Sequence, residues 1–109
     1  NSIALPYILE QATRKLPAYM ICHEKLLSLK YKDEAGQSHL YDTLRCFLEH
    51  NQNIAHTANA LFIHRTTLLY RLDKIRAFLD SDLRDRDEIL YLLLSFHLMD
   101  MESENQAEK

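Results

Sequence analysis

The stretch NIAHTANALFIHRTTLLYRLDKIRAFL, residues 53–79, holds two apolar patterns joined by a short polar break. In the first, Ile54, Ala58 and Leu61 recur at the interval that places side chains on one side of an α-helix. Asn53 stands just before them, where a short side-chain oxygen accepts from an orphan first-turn amide. In the second, Leu68, Leu72, Ile75 and Leu79 fall within one narrow arc at about 100° per residue, which predicts a helix over 65–79 with those four in a core. Little room is left between them, so Phe62, Ile63 and His64 form a tight turn.

With that arc turned to the back, Thr66, Thr67, Tyr70, Asp73 and Lys74 stand in front and Arg71 on the shoulder. None is needed for burial. A short capped helix, a tight turn and a longer helix with threonines and basic residues forward is the layout of a helix-turn-helix, whose second helix enters the major groove N-terminal end first. The residue types suit that place: arginine can donate two bonds to guanine, and threonine can bond a phosphate or touch a thymine methyl. His64 is expected to cap the helix or contact a phosphate, and Arg76 to be structural or to contact phosphate only. Asp73 would repel phosphate and is expected to pair with a basic residue of a neighbouring element. The competing reading for the charged residues is a solvated helix face, and for Tyr70 a ring packed on the next helix.

Outward from this pair, Leu40, Leu44, Phe47 and Leu48 form a stripe on a helix ending near His50. Upstream, Leu5, Ile8, Leu9, Ala12 and Leu16 give a first short helix that Pro17 interrupts, and a second runs over about 18–30. KDEAGQS, residues 32–38, is polar, carries Gly36, and reads as the longest loop. Downstream, a helix over about 85–101 starts with Asp85, Asp87 and Glu88, where the helix dipole favours them, and ESENQAEK should fray. A single glycine among 109 residues, with abundant Leu, Ala, Glu, Lys and Arg, disfavours a sheet protein with many tight turns. The expected fold is all-α, with about six helices.

The net charge of −3 hides an asymmetry: residues 1–79 carry +3 and residues 80–109 carry −6. Cys22 and Cys46 lack the close spacing of a zinc or redox pair, are expected to behave as small buried hydrophobes, and suit a reducing, cytoplasmic setting. The apolar run 89–94 is too short to cross a bilayer. His50, His56 and His64 come from separate elements without HExxH or Cys/His framing, so neither a metal nor another cofactor is expected. No partnered Ser/His/Asp motif and no phosphate-cradling glycine loop supports an enzyme.

The segment TLRCFLEHNQNIAHTANALFIHRTTLLYRLDKI resembles the C-terminal helix-turn-helix domain of PucR/CdaR-type bacterial transcriptional regulators. Their counterpart has a TL..YL helix, an asparagine-rich break, an A..L helix and an HRNTLxYRLxxI recognition helix. The likeness covers about residues 26–98 and says little of 1–25. It implies an all-helical DNA-binding domain at the end of a larger regulator whose upstream region senses a metabolite. His64, Arg65, Thr67, Tyr70, Arg71 and Leu72 match the pattern and would take its recognition-helix roles. Thr66 stands where asparagine is usual and Leu69 where a polar or basic residue is common, so an operator sequence does not carry over. The DNA-contacting set is therefore His64, Arg65, Thr66, Thr67, Tyr70, Arg71 and Lys74.

On this basis residues 1–109 form one helical DNA-binding domain: N-terminal helices and loop in 1–37, the helix-turn-helix core in 38–79, the apolar helix in 80–101 and a polar tail in 102–109. A start at Asn1 is read as an excised piece of a longer chain. The partners expected are duplex DNA and a second copy, because residues 89–99 are apolar almost all round, with Phe96 and Met99 as probes of that contact. A small-molecule effector would bind the upstream region. The alternative from another class is a helical interaction or dimerisation module that never touches DNA.

Overall fold

A computed structural model describes residues 4–36 and 38–107, with side chains for 16–36 and 38–104. Its five helices are α1 (Ala4–Gly36), α2 (Leu40–Glu49), α3 (Ile54–Leu61), α4 (Arg65–Leu79) and α5 (Arg86–Ala107), and no strand occurs among the described residues. The fold is all-α, as the composition leads one to expect, with five helices among the described residues rather than about six.

The difference lies in α1. Pro17 sits inside it and does not end it. A proline removes one amide donor from a helix interior, but Pro17 is exposed, and Leu26 and Leu29 farther along are fully buried and hold the helix on the core. Leu5, Ile8, Leu9 and Ala12 of the expected first stripe have side chains outside the described residues.

The expected loop over 32–38 is mostly the last turn of α1, for a reason that lies in α2. The residue before α2, His39, is in the left-handed conformation and gives no side-chain cap. Asp33 caps the helix instead, its carboxylate accepting from Ser38 Oγ at 2.6 Å, Leu40 N at 2.9 Å and Tyr41 N at 2.5 Å. A negative group on first-turn amides satisfies orphan donors and complements the dipole together. Helix α1 must stay helical to residue 33 or beyond to deliver it.

Helices α2, α3 and α4 end without glycine although each turns through the left-handed region. After α2, Asn51 N donates to Leu48 O and Gln52 N to Phe47 O; after α3, Phe62 N donates to Asn59 O and Ile63 N to Ala58 O; after α4, Asp80 N donates to Ala77 O and Ser81 N to Arg76 O. Each pair is a Schellman closure with Asn51, Phe62 or Asp80 at positive φ. Asn and Asp tolerate this conformation, whereas for Phe62, at φ 57°, it costs about 1–2 kcal/mol.

The core joins Leu40, Leu44, Phe47 and Leu48 of α2 to Leu68, Leu72, Ile75 and Leu79 of α4, with Leu26 and Leu29 of α1 and Leu92, Phe96 and Met99 of α5. Burying each such side chain contributes roughly 1.5–3 kcal/mol. Leu83, in the loop before α5, is also buried despite a positive φ; Gln52 Nε2 donates to its carbonyl at 2.7 Å and its own amide donates to Ser81 Oγ at 3.0 Å. Asp85 caps α5 by accepting from Asp87 N at 2.9 Å.

Helix α5 is clamped to α2 by Arg45, whose Nη1 donates to Asp100 Oδ1 at 2.7 Å while Nη2 pairs with the other carboxylate oxygen. The hydrogen bonds from Arg45 hold the Asp100 carboxyl below the usual range. The stabilisation this gives is present above the ordinary carboxylate pKa and fades as pH falls through the lowered one. The helix continues to Ala107, past the expected end near Met101; residues 108–109 of the tail lie outside the described residues. Phe96 and Met99 are 2% and 4% exposed, so they belong to this chain's own core and not to a contact with a second copy. Leu90, Leu94 and Met101 are the apolar residues that α5 turns outward, at 60%, 45% and 47% exposure. Cys22 is buried and Cys46 half-buried, both are free thiols, and burial pushes both thiols up.

Candidate nucleic-acid interface

Helices α3 and α4 are joined by Phe62, Ile63 and His64. Asn53 Oδ1 accepts from His56 N at 2.9 Å and so starts α3 as its sequence requires. Ile63 is half-buried and packs on the core, which fixes the turn, while Phe62 is 95% exposed. Leu68, Leu72, Ile75 and Leu79 of α4 are all buried, so the rotation inferred from their spacing is the one observed.

That rotation decides where the proposed contact residues lie. His64, Arg65, Thr66, Tyr70 and Lys74 are exposed, and Thr67 and Arg71 are half-buried at the edge of the face. Arg65 is close to the core arc in angle, and it is exposed because it opens the helix, ahead of Leu68. Tyr70 does not pack its ring on a neighbouring helix in the sense of burial: it is 61% exposed, and Lys74 Nζ lies 5.0 Å from its ring centroid. This cation–π contact holds the lysine over the tyrosine on the outer face. Leu69, at 38% exposed, completes the surface.

Two expectations about this helix need correction. His64 occupies the N-cap position, but its side chain makes no cap hydrogen bond; only its carbonyl is used, by Leu68 N at 3.1 Å. An imidazole is bulkier and less easily folded back onto the first turn than the oxygen of Asn or Ser, so the side chain stays outside. Asp73 pairs with Arg76 of its own helix, at 3.6 Å, because residues three apart are neighbours on a helix surface. That pairing gives Arg76 its structural part.

A residue that the apolar spacing passes over is Thr43. It lies on α2 at the edge of the buried stripe, fully buried, and its Oγ donates to His39 O at 2.6 Å while accepting from Arg71 Nη1 at 3.1 Å. The available signal was a polar residue beside Leu44 on a core-facing arc, since a buried hydroxyl demands a partner.

Residues 40–98 match the PucR C-terminal helix-turn-helix domain. The chain belongs to that family. Its helices α2 to α4 and the first half of α5 are the family's region, and the exposed face of α4 lies within it. The PucR-type domain is similar to three regulators in particular. The purine catabolism regulatory protein of Bacillus subtilis (strain 168) is 37% identical over 73 residues, 67% of this chain and 14% of the relative. The carbohydrate diacid regulator of Escherichia coli (strain K12) is 40% identical over 73 residues, covering 67% of this chain and 18% of the relative. The proline-responsive transcriptional activator PutR of B. subtilis (strain 168) is 36% identical over 77 residues, 71% of this chain and 19% of the relative. The chain thus spans less than a fifth of the length of these relatives. No solved structure matches it. The family is one of transcriptional regulators with a DNA-binding helix-turn-helix, not of enzymes. Among the described residues no group of three or more His, Cys, Asp or Glu converges on a metal position, and no helix is long and apolar enough to cross a membrane.

Proposed function

We propose that this domain binds duplex DNA sequence-specifically, with the N-terminal end of α4 in the major groove and His64, Arg65, Thr66, Thr67, Tyr70, Arg71 and Lys74 as its contact surface. The observation that carries this is the division of α4: one arc supplies four buried core residues, while Thr66, Tyr70 and Lys74 stand exposed on the opposite face, Thr67 and Arg71 lie half-buried at its edges and Arg65 is exposed at the helix start. The N-terminus of α4 has no side-chain cap, so its dipole favours a phosphate there. On this reading residues 1–109 are the C-terminal domain of a longer cytoplasmic regulator. The upstream part would sense a small molecule, since the names of the relatives concern purine catabolism, carbohydrate diacids and proline. Those compounds differ, so none is assigned to this chain.

The test is selection of bound duplexes from a random pool. One recognition helix reads few base pairs, so the enriched site should be palindromic, with half-sites centred one helical turn, roughly 34 Å, apart. A failure to enrich any sequence, or enrichment that survives loss of the α4 face in a folded variant, overturns the assignment.

The domain would occupy such a site as a homodimer. Support comes from α5, where Leu90, Leu94 and Met101 recur on its outer side and stay exposed. Introducing a charge as Leu94→Asp should shift sedimentation equilibrium toward monomer without lowering the melting temperature. A wild-type domain that remains monomeric at every concentration and binds a half-site as tightly as the palindrome contradicts the dimer. Dimerisation without any affinity for DNA would instead favour an interaction module.

A further inference from the structure

We propose that Thr43, which lies in the core and touches no DNA, is a positioning residue that fixes the Arg71 guanidinium to grip a backbone phosphate at the side of the groove. The inference rests on the DNA-binding reading above and deepens it, by dividing the basic residues of α4 into one that sits at the groove wall and others that face the bases.

A threonine hydroxyl has one proton. In Thr43 that proton is committed to His39 O at 2.6 Å, so toward Arg71 the oxygen can only accept, and it does so from Nη1 at 3.1 Å. The side chain is fully buried, which prevents water from replacing either bond. Its position is fixed in turn by α2, whose first turn is held by the Asp33 carboxylate. A flexible arginine is thereby tethered by one nitrogen to a rigid helix.

The tether points Arg71 sideways. It stands on the shoulder of α4, half-buried, at a cleft lined by His39, Asp42, Thr43, Leu61 and Ile63, while Thr66, Tyr70 and Lys74 face forward. Arginine carries five N–H groups in a planar fork, and one is used by Thr43. The remaining edge is suited to two oxygens of a phosphate. A guanidinium held toward α2 meets the strand that borders the groove, not the base edges at its floor. Asp42 shares the cleft, but among the described residues no ion pair joins it to Arg71, so the free edge of the guanidinium is open to an outside anion.

The experiment compares affinity and salt dependence by fluorescence anisotropy on a selected duplex and a scrambled one. Thr43→Val keeps the shape but removes the acceptor. It should weaken binding to both duplexes roughly 5- to 10-fold and make the log–log salt slope shallower by about 0.9, the loss of one phosphate contact. Thr43→Ser should restore both values. Adding Thr43→Val to Arg71→Ala should change neither affinity nor slope further. Should the valine variant fail to fold by circular dichroism, Thr43→Ala makes the same comparison. Wild-type affinity and slope in folded Thr43→Val, or a full additional loss on the Arg71→Ala background, overturns the inference, while binding that is still lost in Thr67→Ala leaves the interface standing. A wild-type chain that binds neither duplex overturns the interface and this inference with it.

Discussion

Leu68→Ala should lower the free energy of unfolding by about 2–5 kcal/mol, whereas its neighbour Thr67→Ala should lower it by less than about 1 kcal/mol and still weaken DNA binding. Leu68 is 0% exposed and sits near the start of the α4 arc, in the same core cluster as the α2 stripe. Removing most of its side chain forfeits the transfer of that surface from water. It also leaves a cavity that helices α2 and α4 cannot close without breaking the Leu72 and Ile75 contacts beside it. Thr67 is half-buried at the rim, and the structure gives its hydroxyl no partner inside the fold among the described residues, so its removal leaves little behind. Chemical denaturation of both variants, followed by anisotropy on the selected duplex, separates the two effects. Equal destabilisation would mean that α4 is rotated differently from the observed arrangement.

The contrast between these two adjacent residues is legible in the sequence, because helix rotation follows from spacing alone. Leu68, Leu72, Ile75 and Leu79 leave only one arc for the core, and the outer face follows by subtraction. Asn53 is legible for the same reason: a cap acts on residues within three positions of it, and Asn53 reaches His56. What spacing does not show is whatever depends on another element. Asp33 reads as part of a polar loop until the uncapped start of α2 is placed beside it. Pro17 reads as a terminator because its penalty is local, while the packing of Leu26 and Leu29 that carries the helix is tertiary. The helix ends at Asn51, Phe62 and Asp80 lack the glycine that usually marks a left-handed closure, so their geometry has no compositional signature. Phe96 and Met99 are legible as apolar but not as inward, since on a helix apolar nearly all round the spacing does not choose a side. In the candidate site, Thr66, Tyr70 and Lys74 can be named from rotation and Arg65 only from the family resemblance, since its angle lies near the core arc, yet the role of Arg71 needs Thr43, which lies 28 residues away in sequence.

The larger expected effect is on DNA binding. A folded Arg65→Ala, Arg71→Ala double variant should bind the selected duplex on the order of 100-fold more weakly than the wild type, and the two single variants should fail differently. Arg65 opens α4 at the end proposed to enter the groove, and its side chain has no ion pair or hydrogen-bond partner among the described residues, so its fork is free for guanine. Its loss should cost about 1–3 kcal/mol and relax preference at one base pair, leaving the salt slope nearly unchanged. Arg71 is tethered at the side, and its loss should weaken specific and scrambled duplexes alike while making the slope shallower by about 0.9. By the same counterion physics wild-type affinity should fall steeply as salt rises, despite a whole-chain charge of −3, because the charge proposed to face DNA belongs to the basic residues of α4 and the acidic excess lies in residues 80–109. Titration of all three variants between low and moderate salt reads these outcomes together. Unchanged affinity in the folded double variant would remove the α4 face from DNA and leave α5, with its outward Leu90, Leu94 and Met101, as the surface through which the domain acts.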